Sequence, residues 1–222
     1  SKTNMNCCSQ YICTECYRKI QATKDHRCPL CRAPPPKTDA EMVARVKGHV
    51  AKDDPDAINY LAGLLCNGES GLKKSFKRAV KLWERAASKG HAPSQFDLGR
   101  CYEKGEGAKL DLKRAARYYR EAAEQGYAYA QYNTGFYFAN GKGVTQSDEE
   151  AVRWYKLAAD QGYAPAQYNL GMFYERGLGG LARDVNEALR LYKLSAANGY
   201  PYAQKYLQRL EAEVERAVVK RS

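Results

Sequence analysis

The sequence predicts an all-α chain: an α/α solenoid of stacked helical hairpins behind a small cysteine-rich N-terminal module. Three observations predict it. A pattern of 36 or 37 residues recurs from Asp54 to Gly199, each copy holds two helix-length apolar patterns around a glycine loop, and six of the eight cysteines fall before Arg32. A period of this length marks a helical-repeat array in which no single unit can bury its own apolar face. The expected division is a cysteine module over 1–36, a linker helix over 37–53, four repeats over 54–199 and a C-terminal capping helix over 200–222.

Composition bounds the function classes. The 222 residues are 44% hydrophobic and 27% charged, enough to bury a core. No apolar run reaches the length of a membrane span, so membrane insertion is not expected. The first twenty residues lack the apolar stretch of a signal peptide, which points to an intracellular protein, cytoplasmic or nuclear. A start at Ser1 rather than Met suggests a fragment or processed product. The formal charge of +11 is spread along the chain, with short runs at Lys73–Arg78 and Lys220–Arg221. Without an aromatic–basic recognition motif it reads as a solvated helical surface, and nucleic acid is not the expected partner.

The elements follow in order. Pro34, Pro35 and Pro36 form a short, stiff spacer. Thr38 and Glu41 have capping-box spacing for a helix over Asp39–Lys52, whose Val43, Val46 and Val50 can pack on the first repeat. The aligned repeats span 54–90, 91–126, 127–162 and 163–199, and a fifth start, "YPYAQKYLQRL", begins at Tyr200. In each, helix A starts near a residue such as Pro93, Tyr129 or Pro165 and stops before Gly105, Gly141 or Gly177. Proline is tolerated there because the first helical N–H groups have no intrahelical partner. Ser75, Asp111, Ser147 and Asp184 occupy one aligned position and are expected to cap helix B, with Glu150 and Glu187 completing capping boxes. Gly90, Gly126, Gly162 and Gly199 end helix B. From Tyr202 to Arg221 a stripe of Tyr206, Leu207, Leu210, Val214, Ala217 and Val218 suits a terminal cap, with an oligomerisation helix as the alternative.

The packing positions repeat as well. Gly99, Gly135 and Gly171 sit in mid-helix A, where glycine costs about 1 kcal/mol against alanine. Their use makes sense if helix B, with Ala79, Ala115, Ala151 and Ala188 aligned, approaches closely there. Trp83, Tyr119, Tyr155 and Tyr192 fall one turn later and are expected to fill space between neighbouring hairpins. Cys66 and Cys101 read as small buried hydrophobes. His91 takes the slot of Tyr127, Tyr163 and Tyr200, so it is a repeat residue, and His49 is expected to be exposed. No nucleophile motif or phosphate loop stands out, and the glycine pairs at Gly141–Gly143 and Gly177–Gly180 recur as helix–helix loops.

With "A-Q-Y-N-L-G", the paired "G-x-G" and "A-x-x-x-Y…A-A-x-x-G" recurring from Pro55 to about Leu207, the chain resembles the Sel-1-like repeat family, relatives of the tetratricopeptide repeats. Tetratricopeptides keep a shorter period and lack the second loop glycine. Ala62 stands for the helix-A glycine in the first repeat, and Ser195 for an alanine in the fourth. The resemblance implies a helical solenoid with protein partners on its surface.

The cysteine module carries separate chemistry. Cys13/Cys16 and Cys28/Cys31 are Cys-x2-Cys pairs, a spacing that aims two thiolates at one metal, and zinc is favoured over disulfides. One solution is a single zinc held by these four, as in a zinc ribbon; absence of ordered metal is another. A third is the later half of a RING finger, which "CCSQYICTEC" and "CPLCR" resemble. The resemblance implies one site from Cys13 and Cys16, needing an upstream pair, and a second from Cys8, Cys28 and Cys31. Gln10 stands where RING modules place a histidine; Cys7 or, less aptly, His26 could replace it. One zinc is thus implied, or two if an upstream pair exists. By the same resemblance Pro29 and Arg32 would face a ubiquitin-conjugating enzyme, Arg32 bridging two proteins through its planar guanidinium. The leading expectation is a protein-interaction scaffold. The alternatives are a RING-type ubiquitin ligase whose solenoid recruits substrate, and a structural subunit of a larger assembly.

Overall fold

A computed structural model of the chain describes residue 36 and residues 38–219. The six N-terminal cysteines, His26, Pro29 and Arg32 lie outside the described residues. Ten helices follow one another among the described residues: α1 (Asp39–Ala51), α2 (Pro55–Asn67), α3 (Phe76–Ala87), α4 (Ala92–Lys104), α5 (Leu112–Glu124), α6 (Ala128–Asn140), α7 (Asp148–Asp160), α8 (Ala164–Arg176), α9 (Val185–Ala197) and α10 (Pro201–Val219). The chain divides into two compact units, one ending at Leu110 and the other beginning at Asp111. The division falls in the loop of the second sequence repeat.

The predicted caps are formed. Ser75, Asp111, Ser147 and Asp184 accept from the N–H groups of Arg78, Arg114, Glu150 and Glu187 at 3.3, 2.9, 3.2 and 3.0 Å. The reciprocal half of the capping boxes is not made at Ser147 and Asp184. Their backbone N–H groups donate to Phe138 O and Tyr174 O of the preceding helix A, at 3.0 and 2.9 Å. Ser75 does the same to Leu65 O at 2.7 Å. The hairpin has already used the donor, so Glu150 accepts from Trp154 Nε1 at 3.1 Å, and Glu187 accepts from Arg190 at 2.6 and 2.8 Å. Helix B closes with the residue after each glycine donating back: His91 to Ala86 O, Tyr127 to Ala122 O, Tyr163 to Ala158 O and Tyr200 to Ser195 O.

The helix-A glycines are sites of close approach, and the group that approaches is the aromatic ring. A Cβ on Gly135 would stand 2.8 Å from Tyr155 Cδ1 and 3.2 Å from Ala151 O. On Gly171 it would stand 2.8 Å from Tyr192 Cε1. Tyr155 and Tyr192 each cover a glycine of their own hairpin, and rings at this position also reach the next repeat: Tyr119 meets Tyr137 at 5.2 Å, and Tyr155 meets Phe173 at 5.6 Å, both edge to face. The second loop glycine makes the other inter-repeat contact. A Cβ on Gly107 would lie 2.6 Å from Phe76 O, and on Gly179 2.5 Å from Asp148 O, the first helical residue of the previous helix B.

The motif glutamine joins repeats through polar bonds. Buried Gln131 and Gln167 donate to Ala123 O and Ala159 O at 3.3 Å. Gln161 and Asn198, ending the following helix B, donate to the Gln131 and Gln167 side-chain oxygens at 2.7 and 3.0 Å. Ser195 keeps its place beside the alanines because its hydroxyl donates to Ala164 O at 2.7 Å. In the first repeat Trp83 Nε1 donates to Asn59 Oδ1 at 2.9 Å.

Three smaller expectations change. On α1, Met42 joins Val43 and Val46 in the buried face, while Val50 is half-buried. His49 is half-buried too, with Nδ1 3.5 Å from Asp54 Oδ2, because helix α1 turns straight into the cap of α2. Cys101 is buried, but Cys66 is only half-buried. Among the described residues no helix is long and apolar enough to cross a membrane.

Candidate interaction surface

In the unit from Asp111 onward, helices α6, α8 and α10 are the helix-A elements of the third and fourth repeats and of the incomplete fifth. Helical spacing gives each an outward stripe of aligned residues: Tyr129, Asn133 and Phe136 on α6, Pro165, Asn169 and Met172 on α8, Tyr202, Tyr206 and Arg209 on α10. All are half-buried or exposed; Tyr129 keeps 50% of its surface and Tyr202 63%.

The rings form two connected groups. Tyr129 lies 5.4 Å from Tyr127 and 5.0 Å from Tyr163, and Tyr163 lies 5.3 Å from Tyr132. Tyr168 lies 5.2 Å from Tyr200 and 5.0 Å from Tyr206, and Tyr200 lies 5.5 Å from Tyr202. The Asn169 side chain acts on the hydroxyls of Tyr132 and Tyr155, lowering their pKa against the larger effect of burial. Burial raises the phenol pKa of Tyr132, Tyr163, Tyr168 and Tyr200 above its ordinary value. These hydroxyls therefore stay protonated and can donate at any physiological pH. The surface offers flat rings with polar tips, the side-chain type enriched at protein interfaces.

At the far end of the stripe the character changes. The α8 C-terminus and α10 enclose a cleft of about 430 Å³ lined by Glu175, Arg176, Lys205, Tyr206 and Arg209. Arg209 Nη2 lies 2.6 Å from Glu175 Oε1, and Tyr192 OH donates to Glu175 Oε2 at 2.7 Å. Burial pushes the Glu175 carboxyl up, but the bonds from Arg209 and Tyr192 outweigh it and hold it below the usual carboxylate value. Arg209 also lies 3.3 Å from Glu213. A second cleft, of about 400 Å³, lies among α7, α8 and α9 with Leu170 and Leu191 in its lining; there Lys156 and Arg190 are balanced by Asp160 and Glu187.

The predicted site residues Cys7, Cys8, Cys13, Cys16, Cys28, Cys31, Pro29 and Arg32 fall outside the described residues. Among the described residues no group of three His, Cys, Asp or Glu side chains could hold a metal. Sequence reasoning missed Tyr129, Tyr202, Arg176, Lys205 and Arg209. The available signal was 18 tyrosines in 222 residues, several at positions where neighbouring repeats carry proline or aspartate.

Comparison with known proteins gives a consistent picture. A family model described as Sel1 repeat matches residues 55–91, 92–127, 128–163 and 164–200. Among solved structures, a Sel1 repeat protein from Oxalobacter formigenes is 34% identical with a TM-score of 0.70, over 75% of this chain and 68% of that one. A protective antigen of uropathogenic Escherichia coli strains displaying an SLR fold is 29% identical with a TM-score of 0.73, over 86% of this chain; the chain spans 38% of that protein's length. No curated protein matches the chain.

Proposed function

We propose, from the premise that this chain belongs to the Sel1-repeat family, that it is a protein-interaction scaffold whose helix-A face, in the unit from Asp111 onward, holds an extended segment of a partner protein. The observation that carries this is the exposure of Tyr129 and Tyr202, at aligned helix-A positions, each at the edge of a connected group of rings. Exposed aromatics on a rigid helical frame lose little entropy on binding and give large contact areas. Selection of phage-displayed random peptides on the immobilised full chain tests it. Selected peptides should lose about tenfold in affinity with Tyr129→Ala and Tyr202→Ala, a typical cost for an aromatic anchor. Peptides indifferent to both substitutions would refute the placement.

We propose further, from the two Cys-x2-Cys pairs alone, that the N-terminal module holds structural zinc. Metal analysis of the reduced chain should find about one equivalent, and less than about half an equivalent would refute the site. The ligase reading of Pro29 and Arg32 rests on "CPLCR". For a chain carrying the upstream cysteine pair that the RING resemblance requires, it predicts autoubiquitination that Arg32→Ala abolishes with zinc retained; inactivity of such a chain with a panel of conjugating enzymes would leave the scaffold reading alone.

A further inference from the structure

We infer that the cleft at the α8–α10 end of the helix-A face takes a carboxylate, so that the partner segment is acidic: an extended peptide with an aspartate or glutamate in the cleft and apolar residues along the tyrosines. The inference rests on the scaffold reading and adds the chemistry of the partner.

Charge decides it. Three cations line the cleft, Arg176, Lys205 and Arg209, against one carboxylate, Glu175. That carboxylate is already engaged on both oxygens, by Arg209 at 2.6 Å and by Tyr192 at 2.7 Å. Arg209 is shared between Glu175 and Glu213 and is held in place, with its guanidinium 5.3 Å over the Tyr206 ring. Arg176 and Lys205 make no salt bridge among the described residues, although both line the same cleft. The cleft among α7, α8 and α9 has no such excess, since its two cations face two carboxylates. An incoming carboxylate would thus meet two uncommitted cations beside a fixed guanidinium, a setting for charge-assisted hydrogen bonds.

The cleft also continues the aromatic stripe. Tyr206 lines it and stacks edge to face on Tyr168, which meets Tyr200 and, through it, Tyr202. Lys205 stands at the helix-A position that Tyr132 and Tyr168 fill in the two preceding repeats, and Arg209 at that of Phe136 and Met172. Along aligned positions the face therefore passes from aromatic and apolar to cationic at its last helix. A segment lying across it would read an apolar part and then an acidic part in a fixed direction.

The test extends the peptide selection. Selected peptides should carry Asp or Glu at a fixed spacing from an aromatic or aliphatic residue. The double variant Arg176→Ala, Lys205→Ala should weaken them about 10- to 100-fold, the loss expected for charged hydrogen-bond partners. Replacing the acidic residue by Asn or Gln should weaken wild-type binding by a similar factor and leave the double variant unaffected. Both side chains are free of structural pairing, so circular dichroism and melting of the double variant should match wild type. Tyrosine-dependent peptides without an acidic preference would overturn the inference and leave the scaffold reading standing. Failure to select any tyrosine-dependent peptide would overturn both. A labelled single-stranded oligonucleotide that binds more tightly than the acidic peptides, and loses affinity in the double variant, would assign the cleft to nucleic acid and overturn it as well.

Discussion

Gly135→Ala adds one methyl group, and its effect can be worked from two opposing terms. In a helix interior the change from glycine to alanine is worth about 1 kcal/mol in favour of the fold. At position 135 the new Cβ would sit 2.8 and 2.9 Å from Cδ1 and Cε1 of Tyr155. That ring is 1% exposed and bounded by Tyr132 at 5.9 Å and Phe173 at 5.6 Å, so it has little room to retreat. Overpacking of such a site costs about 1–3 kcal/mol, which leaves a net loss of about 0–2 kcal/mol. Gly135→Val gives up most of the propensity gain and adds two further carbons, for a loss of about 2–3 kcal/mol. In a chain of this length about 1 kcal/mol moves the melting temperature by about 2–4 °C. The internal control is Gly63, mid-way along α2, where a Cβ would meet nothing within 4 Å. Gly63→Ala should therefore stabilise by up to about 1 kcal/mol. Urea denaturation and thermal melting of the three variants are the assay. If Gly135→Ala rises in stability as Gly63→Ala does, the tyrosine ring does not hold the hairpin closed.

Three other outcomes follow from the structure. Thr134 takes a position filled by Leu98 and Leu170 in its neighbours, and its buried hydroxyl has no hydrogen-bond partner; Thr134→Val should stabilise the chain by about 1 kcal/mol in chemical denaturation, and a loss would mean the hydroxyl is satisfied in solution. Burial pushes the Cys101 thiol up to about 12 and raises that of the half-buried Cys66; site-resolved mass spectrometry should find Cys66 alkylated slowly and Cys101 only on unfolding, and rapid native labelling of Cys101 would contradict its burial. Glu175 has its folded pKa depressed, so its stabilising effect is present above the unfolded value near about 4.3 and is lost as pH falls through the folded pKa; amide protection of α10, corrected for intrinsic exchange, should fall in acid, and Glu175→Gln should remove that pH dependence.

Much of the fold was legible because repetition turns a weak local signal into a strong one. Asp111, taken alone, is one polar residue before a helical pattern; aligned with Ser75, Ser147 and Asp184 it becomes a cap. The same alignment found the loop and helix-A glycines. Reading beyond the column failed where a neighbouring element competes for the same group. Glu150 and Glu187 have capping-box spacing, yet the hairpin gives the cap N–H to a helix-A carbonyl, and no local pattern reports that. The role of Tyr155 over Gly135 was invisible for a similar reason, since a ring's direction across two helices depends on how they pack. The interaction face was the least legible. Arg176, Lys205 and Arg209 are 29 and 4 residues apart in order and meet only because α10 lies along the end of α8.

The tyrosines separate into those the fold needs and those it does not. Asp54 and His91 begin helix A in the first two repeats, and their side chains accept from first-turn N–H groups. Tyr127 and Tyr163 hold that position in the next two and make no such bond. Losing a cap costs about 1 kcal/mol. Tyr163 gains ring contacts with Tyr129 and Tyr132 instead, each worth about 0.5–1.5 kcal/mol beyond area burial. The exchange is favourable on packing alone, so Tyr127 and Tyr163 need no partner to explain them. Tyr129 and Tyr202 differ. Their aligned positions hold Asp56, Pro93 and Pro165 in the other repeats, so the architecture accepts an aspartate or a proline there. Their contacts with Tyr127, Tyr163 and Tyr200 use only part of each residue, and half or more of its surface stays in solvent. Surface of this kind, beyond what folding requires and placed on the same stripe as the cationic cleft, is where a partner's contribution has to be sought.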